Sequence, residues 1–301
     1  MKRVLITGSN GLLGQKLVNL LNGRPAVEMI AISRGYNRNP GREGYEYYDV
    51  DITDFKELEK IVHDFKPTDI INSAAMTQVD QCETDKEACD LINHIAVKEL
   101  LRMSKSLDTR MIHVSTDFIF DGESGPYDEN AVANPLSWYG RSKLLAEQEV
   151  LKEGDHAIAR TVLVFGYVPG LSRTNIVLWL KESLENGKTV NVVEDQFRTP
   201  TFAEDLADGI ARILMKDKTG IFNISGFELM SIRELAEKVA DYWKLDKSLI
   251  NPILTSSLNQ PAPRPPKTGF IILKAETELG YKPHKFEDAL SQIERQLKER
   301  V

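Results

Sequence analysis

Over roughly the first 165 residues the apolar positions follow two rhythms. Short runs rich in β-branched residues alternate with longer stretches whose apolar residues return every three or four positions, as strands and amphipathic helices would. The pattern predicts strands at Arg3–Thr7, Val27–Ser33, Tyr45–Val50, Asp69–Ser73, Met111–Ser115 and Ala157–Thr161. Helices are predicted near 12–22, 54–65, 84–106 and 136–152. The strands carry few alternating polar residues, so helices have to cover both of their faces, as in βαβ units around a parallel sheet.

The alternation breaks at Gly166-Tyr167-Val168-Pro169-Gly170. A helix over 174–185, a strand at Val190–Val193, a helix over about 203–215 and a strand at Ile221–Ile224 follow, the last able to rejoin the main sheet. Two or three helices then surround Gln260–Thr268, where Pro261, Pro263, Pro265 and Pro266 forbid helix and favour an extended or turning path. The expected organisation is a first domain over 1–166, rejoined by about 199–224, and a smaller C-terminal α/β domain from 167–198 and 225–301.

Composition narrows the partners. With 301 residues, 42% hydrophobic and 28% charged, the chain falls outside disordered, collagen-like and coiled-coil classes and can bury a core in one or two domains. A net charge of -7 without a cluster of Lys and Arg argues against nucleic acid and leaves a small soluble partner. Met1-Lys2-Arg3 leads into only Val4-Leu5-Ile6, too short for a signal-peptide core, and no stretch is long enough for a membrane span, so a cytoplasmic location is expected. Cys82 and Cys89 cannot form a disulfide framework or a zinc knuckle, and their spacing puts them on one face of a helix. His63, His94, His113, His156 and His284 have no zinc-motif neighbours, so no metal is expected and they read as structural or surface residues. Glu83, Asp85 and Glu87 read as a solvated helix start, and Trp179 and Trp243 as core or groove-lining residues.

Two constellations carry chemistry. Gly8, Gly11 and Gly14 lie between the first strand and the first helix, spaced G-x-x-G-x-x-G. Glycines there let backbone N–H groups approach a pyrophosphate at a helix N-terminus, the mark of a dinucleotide site. After the second strand, where an acid would select NAD, stand Ser33 and Arg34; a guanidinium pairs with a 2′-phosphate, which favours NADPH and leaves NADH open. Tyr139 and Lys143, one helical turn apart, form the second constellation, in which an ammonium would lower the pKa of the phenol. Thr116 and Asp117 end the fifth strand, on the side of an open parallel sheet where ligands bind.

These residues, with Asn72–Asp80, Ser115–Gly122, Pro135–Lys143 and Asp195–Thr201, make the chain resemble the extended short-chain dehydrogenases/reductases, and within them the dTDP-4-dehydrorhamnose reductase family, nearly end to end. The resemblance implies a doubly wound Rossmann domain with a smaller C-terminal substrate domain. It implies a triad of Thr116, Tyr139 and Lys143, with Asn93 as a fourth member of a proton relay and Tyr139 protonating the C4 oxygen of a sugar. Cofactor contacts would come from Gly8, Asn10, Gly11, Leu12, Leu13 and Gly14, from Ser33 and Arg34, from Asp51 and Ile52 at the adenine, and from Ala74, Ala75 and Met76 on the ribose and nicotinamide side. Thr116, Asp117, Tyr139, Leu163 and Arg264 would meet the substrate, with Arg264 and Lys267 near its diphosphate. The implied reaction is NADPH-dependent reduction of dTDP-4-dehydro-L-rhamnose to dTDP-L-rhamnose. Met76 and Leu163 depart from the family, which commonly has an aromatic residue and a tryptophan there, so another nucleotide sugar stays open. So does a non-catalytic regulatory subunit of the same fold. A homodimer is common among relatives, though no residue in the sequence marks its interface.

Overall fold

The computed structural model describes residues 1–41, 43–171 and 173–299. The first half of the chain forms β1 (Lys2–Thr7), α1 (Leu12–Leu21), β2 (Val27–Ser33), β3 (Glu46–Asp49), α2 (Phe55–Phe65), β4 (Asp69–Asn72), α3 (Val79–Thr84), α4 (Lys86–Asp90), α5 (Ala96–Ser106), β5 (Arg110–Thr116), α6 (Trp138–Lys152) and β6 (Ala157–Thr161). The second half forms β7 (Val164–Phe165), α7 (Ile176–Glu185), β8 (Val190–Val193), β9 (Phe197–Arg198), β10 (Thr201–Phe202), α8 (Ala203–Met215), β11 (Gly220–Asn223), β12 (Met230–Ser231), α9 (Ile232–Trp243), β13 (Ile250–Ile253) and α10 (Phe286–Lys298).

Seven strands make one parallel sheet in the order β11-β6-β5-β4-β1-β2-β3. Its inner strands are apolar on both faces because both are covered, whereas the edge strand β3, Glu46–Asp49, is polar and partly exposed. Val4 and Ile6 pack with Leu17 of α1 and Ile210 of α8, while Leu5 between them packs with Leu58 of α2 and Leu100 of α5. The chain runs outward from β1 to β3, then returns to the other side of β1 at β4. That reversal opens a crevice beyond the carboxyl ends of β1 and β4, where doubly wound sheets bind ligands. A buried ion pair, Arg160 of β6 to Glu147 of α6 at 2.7 Å, fixes α6 along the sheet.

A second core gathers Phe165, Leu180 of α7, Leu235 of α9 and Phe286 and Leu290 of α10, around the short pairs β7/β10, β8/β13 and β9/β12. β11 pairs with β6, so the chain comes back to the main sheet after visiting this second region.

The predicted helix over 84–106 is interrupted. Asp85 leaves helical geometry at φ −129°, and its side chain accepts from Ala88 N to cap α4. A π-helical turn at Leu91–Ile95 then joins α4 to α5. Cys82 and Cys89 therefore sit on two different helices, against the expectation of one face, and both are buried. Trp243 packs against the second core as expected, but Trp179 is exposed, because α7 turns Val177, Leu180 and Leu184 inward instead. Among the described residues no helix is long and apolar enough to cross a membrane, and no group of His, Cys, Asp and Glu is arranged to hold a metal.

Candidate functional site

The glycines of the phosphate loop are required by close approach. Gly8 has φ +69°, and a Cβ there would stand 2.8 Å from Ala74 N; a Cβ on Gly14 would stand 2.2 Å from Gly8 O. The loop thus folds tightly onto β4 and leads into α1, whose start has no side-chain cap and no acid in its first turn. The first amides of that helix, at Leu12, Leu13 and Gly14, have no intrahelical partner and carry partial positive charge. Ser9 Oγ is buried beside them without a hydrogen-bond partner, as is Ser115 Oγ on β5. A dinucleotide fits this cradle: its phosphates would satisfy the free amides, and the uncapped, acid-free helix start suits an anion.

Asn10 is engaged in shaping the neighbouring loop. Its Nδ2 donates to the carbonyls of Arg34 and Tyr36 and to Tyr47 Oη, and its Oδ1 accepts from Arg38 N, so it shapes the loop after β2. That loop, continuing from Ser33, holds Arg34 out in solvent with its guanidinium 3.5 Å from Asp51. Asp51 is partly buried, which pushes its carboxyl up, but hydrogen bonds from Thr53 and the charge of Arg34 bring it below its ordinary value. The residue expected at the 2′-phosphate and the one expected at the adenine are thus side by side, next to a buried Ile52.

Beyond β4, Ala74 N donates to Thr7 Oγ1 at 3.3 Å and Ser73 Oγ to Thr7 O, which sets the course of Ala74, Ala75 and Met76 past the phosphate loop. Asn93, in the π-helical turn, clamps Met76 from both sides: Oδ1 accepts from Met76 N at 2.8 Å and Nδ2 donates to Met76 O at 3.0 Å. Its amide also meets Ser142 Oγ at 3.2 Å, so the geometry makes Asn93 the anchor of this wall.

Tyr139 and Lys143 enter on α6. Ser137 caps this helix, and Glu83, read as solvated, instead holds its start by accepting from Trp138 N at 2.9 Å, while Asp90 accepts from Trp138 Nε1 at 3.0 Å. Tyr139 is enclosed by Cys82, Cys89, Met76, Val79, Phe118 and Trp138. Burial pushes its phenol well above the ordinary value, the nearby Thr116 hydroxyl eases it down, and Asp117 pushes it up. The expectation that Lys143 lowers the phenol is not met, because the Lys143 Nζ turns elsewhere. It donates to Val114 O at 2.6 Å and lies 3.0 Å from His113 Nε2. Burial pulls Lys143 down from 10.5 to about 8.

Thr116 and Asp117 diverge. The Thr116 hydroxyl faces Tyr139, whereas Asp117 is buried, bonded to Thr116 and Thr268, and 3.6 Å from the buried Arg198. Burial raises its carboxyl, which the Arg198 charge partly offsets. Arg198 also donates to Pro265 O and Gln196 Oε1, so it ties the proline segment to the floor of the site. Arg264 grips Asp80 of α3 through two nitrogens, at 3.0 and 2.8 Å, and holds that carboxyl below its usual range. Lys267 is exposed. Leu163, between β6 and β7, has φ +38°, a left-handed conformation that is costly for a leucine and is held where the two cores meet.

Sequence reasoning missed Asp80, Arg198, Asn72 and the contact of His113 with Lys143. A histidine inside the apolar run Met111-Ile112-His113-Val114 was the available signal, since a buried ring must find polar partners.

The sequence profile described as RmlD substrate binding domain matches residues 1–299. The chain belongs to the RmlD, or dTDP-4-dehydrorhamnose reductase, family. It has the extended short-chain dehydrogenase/reductase fold, with a Rossmann-type parallel sheet and an additional C-terminal α/β region. Among RmlD relatives, it is 30% identical over 292 residues to the probable low-salt glycan biosynthesis reductase Agl14 of Haloferax volcanii, covering 96% of each chain. It is 31% identical to the methionine adenosyltransferase 2 subunit beta of Xenopus tropicalis, covering 88% of this chain and 78% of that protein. The crystal structure of dTDP-4-dehydrorhamnose reductase from Bacillus anthracis in complex with NADP superposes with a TM-score of 0.84 at 26% identity, covering 98% of this chain and 99% of the other.

Proposed function

We propose that this RmlD-family protein is an NADPH-dependent reductase of the C4 keto group of a nucleotide-linked deoxysugar, dTDP-4-dehydro-L-rhamnose being the substrate favoured. The observation that carries the reading is that the Thr116 hydroxyl lies near Tyr139, with Lys143 one turn along the same helix, in a sheet whose first strand leads into an uncapped, glycine-built phosphate loop. The Bacillus anthracis relative, crystallised with NADP, supports the cofactor class. The first domain would span 1–166 with 199–224, and the substrate domain 167–198 with 225–301.

The residues divide the work. Gly11, Leu12 and Leu13 would receive the pyrophosphate on their amides, and Arg34 the 2′-phosphate, exchanging its contact with Asp51. Bound NADPH supplies the hydride. Thr116, whose hydroxyl donates to Asp117 in the structure, would turn that donor to the substrate carbonyl and orient it. Burial keeps the Tyr139 phenol protonated at neutral pH, the state required of a group that gives its proton to the C4 oxygen as negative charge develops there. The apolar wall of Met76, Val79 and Phe118 excludes water from that proton.

The test is nicotinamide oxidation with enzymatically generated dTDP-4-keto-6-deoxy-L-sugar, NADPH beside NADH. Tyr139→Phe should lose about 10²–10⁴-fold in kcat with its fold retained; an unchanged kcat refutes the assignment. The likeness to a methionine adenosyltransferase subunit favours a second reading, a binding subunit. Cofactor binding without turnover of any keto-sugar, with a second protein retained in stoichiometric amount, would establish it instead.

A further inference from the structure

His113 on β5 is titratable, fully buried and in contact with Lys143. Burial, and then the neighbouring Lys143, hold its pKa well below the ordinary value, so the ring is neutral and carries one N–H. The hydrogen-bond chain behind the ring indicates which nitrogen carries it in this structure. Ala74 N donates to Thr7 Oγ1 at 3.3 Å, and Thr7 Oγ1 donates to Asn72 Oδ1 at 2.6 Å. Asn72 therefore presents its Nδ2 to His113 Nδ1, 3.1 Å away, and Nδ1 must accept. The ring N–H then sits on Nε2, facing Lys143 Nζ at 3.0 Å. An ammonium has donors only, so this arrangement is satisfied when Lys143 is a neutral amine that accepts from His113 and donates to Val114 O.

We propose that His113 is a positioning residue that selects the hydrogen-bonding role of Lys143, and that Lys143, His113, Asn72 and Thr7 form a two-state wire from the proton-transfer site to the phosphate loop. The importance of the wire for turnover rests on the reductase reading; its existence does not. In the second state Lys143 takes one proton from solvent. The imidazole N–H moves to Nδ1, and Nε2 accepts from the ammonium. The Asn72 amide turns over so that Oδ1 accepts from Nδ1–H, and Nδ2 donates to Thr7 Oγ1. The difference is one proton, and the donor released is the hydroxyl of Thr7, the residue before Gly8. Lys143 titrates near 8, so both states lie within reach. The other groups facing Lys143 are Glu147 on its own helix, already paired with Arg160, and Cys89 from α4. Asp117, Cys82 and Cys89 bear on Tyr139, and the charge bearing on His113 is that of Lys143.

The experiment is long-range proton–nitrogen NMR of the histidine-labelled, cofactor-free protein from about pH 6 to about pH 10. His113 is assigned by removing His63, His94, His156 and His284 one at a time, which leaves the wire untouched. The expected result is an Nδ1–H tautomer below about pH 8 and an Nε2–H tautomer above it. One tautomer throughout, or an imidazolium at the acid end, overturns the proposal. Asn72→Asp offers His113 an acceptor only, which locks Nδ1–H and should raise the Lys143 midpoint by about one unit, a tenfold change in its ionisation constant; an unmoved midpoint also overturns it. Neither readout needs sugar or cofactor, so absent turnover would refute the reductase reading and leave this result standing. With turnover established, the pH at which kcat changes should move with the Asn72→Asp midpoint while KM stays constant.

Discussion

Lys143 is held where its charge is unwelcome, and replacing it with methionine makes the cost measurable. Folding pulls the ammonium from 10.5 to about 8, chiefly by burial. At 1.36 kcal/mol per unit the folded protein carries a penalty of about 3 kcal/mol wherever Lys143 is charged in both states, that is, below about pH 8. Between 8 and 10.5 the unfolded chain binds the proton more tightly than the folded one, so stability rises with pH as the penalty is relieved. Lys143→Met removes the titration and most of the volume change, but leaves Val114 O and His113 Nε2 without their partner, at about 1–3 kcal/mol each. The two effects nearly cancel at neutral pH, so the informative quantity is the difference between the proteins as pH changes. Urea unfolding of both at pH 7 and pH 10 should show wild type gaining roughly 2–3 kcal/mol on the variant between those values. Groups common to both drop out of the comparison. A difference that stays flat, or falls, would mean that Lys143 keeps an ordinary pKa when buried, and the account of this site would be wrong.

Other consequences can be checked separately. Gly14→Ala places a Cβ 2.2 Å from Gly8 O, so the loop must open; dinucleotide affinity by fluorescence titration should fall steeply and stability by about 1–3 kcal/mol. Glu147→Gln leaves the Arg160 guanidinium buried and unpaired, which should cost about 3–5 kcal/mol and appear as a lowered Tm. Arg34→Ala should weaken NADPH binding by about tenfold or more and leave NADH nearly unchanged, whereas equal losses for both would assign Arg34 to the loop and not to the 2′-phosphate.

The sheet and the phosphate loop were legible because their signals are local. Val4-Leu5-Ile6 is buried on both faces, and Gly8 and Gly14 stand where the strand-to-helix turn leaves no room for a Cβ. Tyr139 and Lys143 were legible for the same reason, being one turn apart on one helix. Partner choice was not legible, because it is decided by groups distant in the chain. Arg264 looked free for a diphosphate, but Asp80 lies 184 residues away and meets it. Lys143 looked like the partner of Tyr139, but a strand 30 residues earlier brings His113 to its nitrogen. The break at Asp85 was hidden because one capping side chain in a run of helix-compatible residues leaves the periodicity intact.

β11 gives the molecule an ownership problem for anyone who would cut it. The outermost strand of the dinucleotide sheet and α8, which packs on α1, are both supplied by chain that has already travelled through the second core. The second core is therefore built partly from chain inserted before β11 and partly from the chain that follows it. A chain stopped at residue 166 would present the β6 edge unpaired, with Ala157–Thr161 buried in the whole protein and suddenly open to strand pairing between copies. Such a fragment should aggregate, and a minimal dinucleotide-binding unit has to be built as a loop-shortened chain that retains Ala203–Asn223.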